Sequence, residues 1–130
     1  MHRGGCCCGS VRYEADGTPF EETNCHCSIC RRASGAPFVA WFTVRPADFR
    51  IAAGEPASFR SSDHGTRTFC SRCGTPLTFA STLFPDEIDV TTCSLDDPEA
   101  LPPKDHTWTS SQLSWTRGSD ELPHLPAGHR

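Results

Sequence analysis

The stretch "GGCCCGSVRY", Gly4 to Tyr13, sets three cysteines in a row between glycines, and its reading decides what kind of fold the chain can have. In an extended segment successive side chains point to opposite faces, so Cys6 and Cys8 converge on one point while Cys7 faces away. The chemically useful unit is then C-x-C, and Cys7 is expected to be a small packed core residue. Two thiols that converge in this way need partners from elsewhere in the chain.

Two further clusters supply candidates: Cys25-His26-Cys27-Ser28-Ile29-Cys30, and Cys70-Ser71-Arg72-Cys73 followed by Gly74. Short i,i+2 and i,i+3 pairs suit tetrahedral zinc, because one tight turn then brings two thiolates within reach of an ion at about 2.3 Å. Gly74 after the last thiolate fits such a turn. Spacing alone permits two groupings. In one, Cys27, Cys30, Cys70 and Cys73 form a ribbon-like four-thiolate site and the others idle. In the other, seven thiols divide as four plus three.

The chain has 130 residues, enough for one ordinary domain, and 36% apolar composition is lean for a self-supporting core. Nine cysteines is an excess, and an odd number does not close a disulfide framework. No apolar signal-peptide core precedes the first cysteine, and no later run is long enough to span a bilayer. The expectation is a soluble cytoplasmic protein whose thiols stay reduced, where clustered cysteines mean metal or catalysis. The net charge is −4, and no basic block exceeds the pair Arg31-Arg32, so no nucleic-acid or membrane partner is expected.

The apolar pattern is short and alternating: "SVRYEA", "FVAWFTV", "FRIAA", "ASFRS", "TRTFC", "PLTFA" and "EIDVTTC" each last a few residues between Gly, Pro, Asp and Ser. That is strand spacing, and the fold class it predicts is mainly β. No window sustains a helical stripe; Ser28 to Ala33 and Arg45 to Phe49 each offer one turn. Beyond Leu95 the chain is proline-rich, with one more candidate strand at "HTWTSSQ". We expect a single domain over residues 1–116 and a C-terminal tail over 117–130.

Three segments in order, "GGCCCGSVRY", "NCHCSICRRASGAPFVAWFTV" and "RTFCSRCGTPLTF", with "SLDDP" after them, resemble the glutathione-dependent formaldehyde-activating enzyme family. The likeness runs from about Gly4 to Pro98 and rests on seven cysteines, their intervening glycines and the aromatic strand after the middle cluster recurring together. It implies a single-domain β-tent-like fold of short antiparallel strands with two zinc ions per chain. Cys6, Cys8, Cys70 and Cys73 would form a closed structural site. Cys25, Cys27 and Cys30 would hold a second, catalytic zinc with one position open to water or substrate.

The implied activity is that of a carbon–sulfur lyase, joining a thiol such as glutathione to a small aldehyde such as formaldehyde to give S-hydroxymethylglutathione. An ion with a vacant position can bind the substrate thiolate or polarise the aldehyde oxygen. The thiolate role is preferred, because sulfur is a good zinc ligand. Two other readings stay open: a zinc-stabilised binding module without catalysis, and a thiol redox or metal-buffering protein.

Other residues carry narrower expectations. Arg31 and Arg32, just after the third thiolate, would lower thiolate pKa and bind a substrate carboxylate. His26 should point away from the metal, into a supporting or surface position. Cys93 should be a packed thiol, or else approach the second zinc as a fourth ligand. Phe38, Trp41 and Phe42 are core residues, with one of them lining the pocket. Asp63, His64, Asp86, Glu87 and Asp89 titrate, but nothing in the sequence places them at the site.

Overall fold

A computed structural model describes all residues from Met1 to Arg130. The strands in chain order are β1 (His2–Gly5), β2 (Arg12–Ala15), β3 (Phe20–Cys25), β4 (Val39–Val44), β5 (Phe49–Ala53), β6 (Ala57–Arg60), β7 (Gly65–Phe69), β8 (Pro76–Ser81), β9 (Ile88–Thr91) and β10 (Asp105–Thr107). The one α-helix, α1 (Ser28–Ser34), falls where a single turn was expected. Strands β1-β2-β5 form a small sheet, and the larger sheet runs β10-β3-β4-β9-β8-β7-β6. All pairings are antiparallel except that of β10 on β3.

The alternation of "VAWFTV" shows how the layers form. Phe42 and Val44 on β4, with Val90 on β9, face the small sheet and pack with Tyr13 and Ala15 of β2 in a core cluster that also holds Cys6 and Cys70. Trp41 and Thr43 therefore point to the opposite face, where α1 lies and where Trp41 packs with Cys25 and Cys30. One six-residue strand thus supplies the core with one set of side chains and a site with the other. Phe42 is fully buried in the main cluster. Phe42→Ala is expected to cost about 3–5 kcal/mol, read as a lower urea midpoint at unchanged slope.

"SLDDP" closes the small sheet. Asp96 takes a two-pronged ion pair from Arg12 at 2.9 and 2.5 Å, the Tyr13 hydroxyl meets Ser94 Oγ at 2.7 Å, and Gly4 bridges Leu95. A Cβ on Gly4 would run into the Tyr13 ring and the Ser94 carbonyl, so this close approach needs glycine.

Several expectations are corrected. Cys6 and Cys8 do not lie in an extended strand: β1 ends at Gly5, and a turn closed by Gly9 at φ 80° folds the two thiols together. Cys7 on that turn is exposed rather than packed, and so is Cys93, which stands in a short 3-10 turn after β9. Strands β1 and β3 carry too little apolar alternation to be read from sequence. The "HTWTSSQ" strand shrinks to Asp105–Thr107, because Trp108 turns the chain at φ 56°.

Candidate functional site

The first cluster is built by two turns. The β1–β2 turn carries Cys6 and Cys8, the β7–β8 turn carries Cys70 and Cys73, and all four Sγ atoms lie within 4.8 Å of one another. Adjacent separations are 3.6 Å for Cys6–Cys8 and 3.8 Å for Cys8–Cys70. A tetrahedron of sulfurs about 2.3 Å from a central ion has edges of about 3.8 Å, so this donor set fits a zinc-sized ion. The turns are tied by the Cys7 amide donating to Thr75 Oγ1 at 3.0 Å, and Gly74, at φ 81°, lets the second turn return to Cys70. Backbone amides aim at the sulfurs: Val11 N–H donates to Cys6 Sγ and Arg72 N–H to Cys70 Sγ. Burial raises the Cys6 thiol, but the Val11 amide and Ser10 hydroxyl outweigh it and bring it down to about 7. The Thr75 hydroxyl and amide hold the Cys73 thiol lower still, at about 5.

The second cluster is local. Cys25 ends β3, Cys27 caps α1, and Cys30 sits in the first turn of that helix. Cys27 Sγ accepts the Cys30 amide at 3.2 Å, and the helix stops at Gly35 with φ 70°. The Sγ atoms of these three residues also lie within 4.8 Å of one another, with Cys25 and Cys30 at 3.5 Å. The Cys25 thiol beside it pushes Cys30 down to about 5, against the pull of burial and with help from Cys27 and the Arg67 guanidinium. Cys25 is pushed up by the same neighbour, so the pair favours one thiolate before any ion arrives. Cys93 does not join this group. The ribbon-like grouping of Cys27, Cys30, Cys70 and Cys73 is not formed either.

The two clusters differ in what they face. Cys25, Cys27 and Cys30 all line a cavity of about 640 Å³ floored by the outer face of the large sheet. None of the other four cluster thiols lines it. Trp41, Thr43, Phe79, Arg67 and Asp89 make up much of its wall. Arg67 is 7% exposed, its guanidinium lies 4.9 Å from the Phe79 ring centre and 5.8 Å from that of Trp41, and its Nη2 donates to Cys30 Sγ at 3.5 Å. It has no carboxylate partner, and its Nε finds no acceptor. Sequence reasoning passed over Arg67. Its signal was the alternation of "GTRTF", which puts a charge on the same strand face as Gly65 and Phe69.

Arg31 and Arg32 line a different cavity, with Gly35, Ala36, Pro37, Leu113 and Trp115. His26 points away from the sulfurs and is fully buried rather than at the surface: its Nε2 lies 2.9 Å from His106 Nδ1, and its ring packs on Phe38 at 4.9 Å. Of the titrating candidates, Asp89 and Glu87 line the thiol cavity, while Asp63, His64 and Asp86 do not. Burial raises the Asp89 carboxyl to about 6, against the Thr43 hydroxyl that donates to its Oδ1 at 2.5 Å and with Glu87 and Glu21 adding to the rise.

Fold and site together define a small β-tent-like protein with one closed four-thiol cluster and one three-thiol cluster open to a cavity, each able to hold a metal ion. The chain belongs to the glutathione-dependent formaldehyde-activating enzyme family, whose description matches residues 1–111. A Halomonas elongata protein provisionally named as a glutathione-dependent formaldehyde-activating enzyme is 28% identical over 121 residues, covering 86% of this chain and 77% of its own. An uncharacterized lyase of Schizosaccharomyces pombe is 32% identical over 83 residues, covering 62% of this chain and 58% of its own length. The crystal structure of a Rhodobacter sphaeroides protein superimposes with a TM-score of 0.65 at 28% identity, covering 81% of this chain and 99% of that one. No helix is long and apolar enough to cross a membrane.

Proposed function

We propose that this protein is a formaldehyde-activating carbon–sulfur lyase, joining a thiol such as glutathione to a small aldehyde such as formaldehyde. The reading assigns a structural zinc to Cys6, Cys8, Cys70 and Cys73 and a catalytic zinc to Cys25, Cys27 and Cys30. It rests on family membership and the relatives' names. The observation that carries it is the asymmetry of the clusters: three sulfurs short of a full tetrahedron line a cavity of small-molecule size, whereas the four-sulfur set lines none of it. When bound there, zinc would supply a fourth position at which a substrate sulfur is held as thiolate.

The chain's own residues do the rest. Arg67, in contact with Cys30 Sγ, offsets the negative charge that gathers when a further thiolate joins three others. Trp41 and Phe79 hold the guanidinium in place and exclude water from its faces. The role first given to Arg31 and Arg32, contact with the anionic end of the thiol, falls more naturally to Arg67, which shares the cavity with the cluster.

The zinc-replete purified chain is expected to contain two zinc ions. After cobalt replacement, millimolar glutathione is expected to strengthen the sulfur-to-metal absorption, because the thiol enters a position that the protein leaves open. Elemental analysis at one metal per chain would sink the four-plus-three division. Two metals with no spectral response to any thiol would instead favour a binding module.

A further inference from the structure

The outer face of the large sheet carries a row of residues directly opposite one another on four adjacent strands: Arg67 on β7, Phe79 on β8, Asp89 on β9 and Thr43 on β4. Residues paired in this way project to one side, and here that side is the wall of the thiol cavity. With strands about 4.8 Å apart, Arg67 and Asp89 stand about 10 Å from each other with the Phe79 ring between them. The arrangement holds a guanidinium and a carboxylate apart on the same wall, and neither is in an ion pair. Asp89 Oδ1 is taken by the Thr43 hydroxyl, and no protein group is hydrogen-bonded to its other oxygen.

We propose that Asp89 is the proton-transfer residue of the site, giving a proton to the aldehyde oxygen during carbon–sulfur bond formation and removing it again during cleavage. The proposal rests on the reaction assigned above. In the forward direction the substrate sulfur lone pair forms the C–S bond, the carbonyl π pair moves onto oxygen, and the Asp89 proton follows to that oxygen. The carboxylate left behind recovers the proton that the thiol released on ionising. In reverse, the Asp89 carboxylate takes the hydroxyl proton, the carbonyl re-forms and the C–S pair leaves with sulfur. Proton and electron pairs balance with no further reactant.

The neighbours explain why this carboxyl suits the task. The groups facing it are Thr43 from β4, Glu21 at the start of β3, Glu87 just before its own strand, Arg67 from β7 and Cys30 from α1. Glu21 is exposed, whereas Asp89 lies on the sheet face, where burial holds its carboxyl near pH 6, close to the optimum for a group that must both give and take a proton. Cleavage needs the ionised form, so its kcat/KM should rise with pH through about 6 and then level off; because the overall reaction takes up and releases no proton, kcat/KM for synthesis from the neutral thiol should follow the same limb.

The test uses the zinc-loaded full chain and the glutathione–formaldehyde adduct, with the uncatalysed rate subtracted. Asp89→Asn keeps the acceptor for Thr43 and should lower kcat about 100-fold, abolish the pH limb and preserve the thiol-induced absorption of the cobalt protein. Thr43→Val removes the donor that favours the carboxylate and should move the limb upward by about one pH unit. An Asp89→Asn enzyme with wild-type kcat and limb overturns this assignment alone. Should Asp89→Asn not fold, a limb unmoved in Thr43→Val overturns it in the same way. A wild-type chain that binds thiol but turns over nothing overturns both this assignment and the lyase reading.

Discussion

Cys70→Ser is expected to leave the chain insoluble or molten. Cys70 is 1% exposed and belongs to the main core cluster, so its thiol is packed as well as available to an ion. Its sulfur also ties the β7–β8 turn to the β1–β2 turn, more than sixty residues earlier in the chain. A structural zinc at such a site contributes on the order of 10–16 kcal/mol, while the net stability of a domain is about 5–15 kcal/mol. Losing one of four sulfurs therefore removes a contribution as large as the whole margin. Circular dichroism and metal content would check it. A soluble variant with native ellipticity and an unchanged urea midpoint would mean that the first cluster does not hold the fold together.

Cys27→Ser should behave in the opposite way: a folded chain with about one zinc, no thiol-induced cobalt absorption and turnover reduced to the uncatalysed level. The three sulfurs of this cluster lie within six consecutive residues, so an ion there closes only a short loop and adds little to global stability. The substitution is also mild for the backbone. Cys27 caps α1 by accepting the Cys30 amide, and serine is among the best residues for that position, so the helix keeps its start. The same measurements on both variants separate folding from function. If Cys27→Ser unfolds as completely as Cys70→Ser, the second zinc is structural too and the lyase reading loses its main physical support. If it folds with one zinc and keeps full activity, the chemistry lies elsewhere.

The contrast between these variants follows from where each cluster draws its sulfurs. The β1–β2 and β7–β8 turns meet only because the two sheets pack through Phe42, Val44, Val90 and Tyr13. The three-thiol cluster needs no such meeting, since the end of β3 and the first turn of α1 form it within one stretch of chain.

Cysteine spacing marked the clusters, because ligand spacing is a local property of turns, but it left two groupings open; the family resemblance pointed to four plus three, and the folded chain brings those two sets together. Of the three aromatics expected in the core with one lining the pocket, Phe42 is core and Trp41 lines the pocket, as the local strand period allows, while half-buried Phe38 packs on His26 outside both core clusters. Strand β3 was invisible, because "FEETNC" shows no apolar alternation and becomes a strand through pairing with β4 and β10. The exposure of Cys7 and Cys93 and the burial of His26 were decided by turns and packing that no local pattern encodes. Arg67 and Asp89 stand more than twenty positions apart in the chain and face one cavity only through the register of β7, β8 and β9. Register is set by pairing between distant segments, so which charged residues share a face with the open cluster was a matter for the tertiary structure alone.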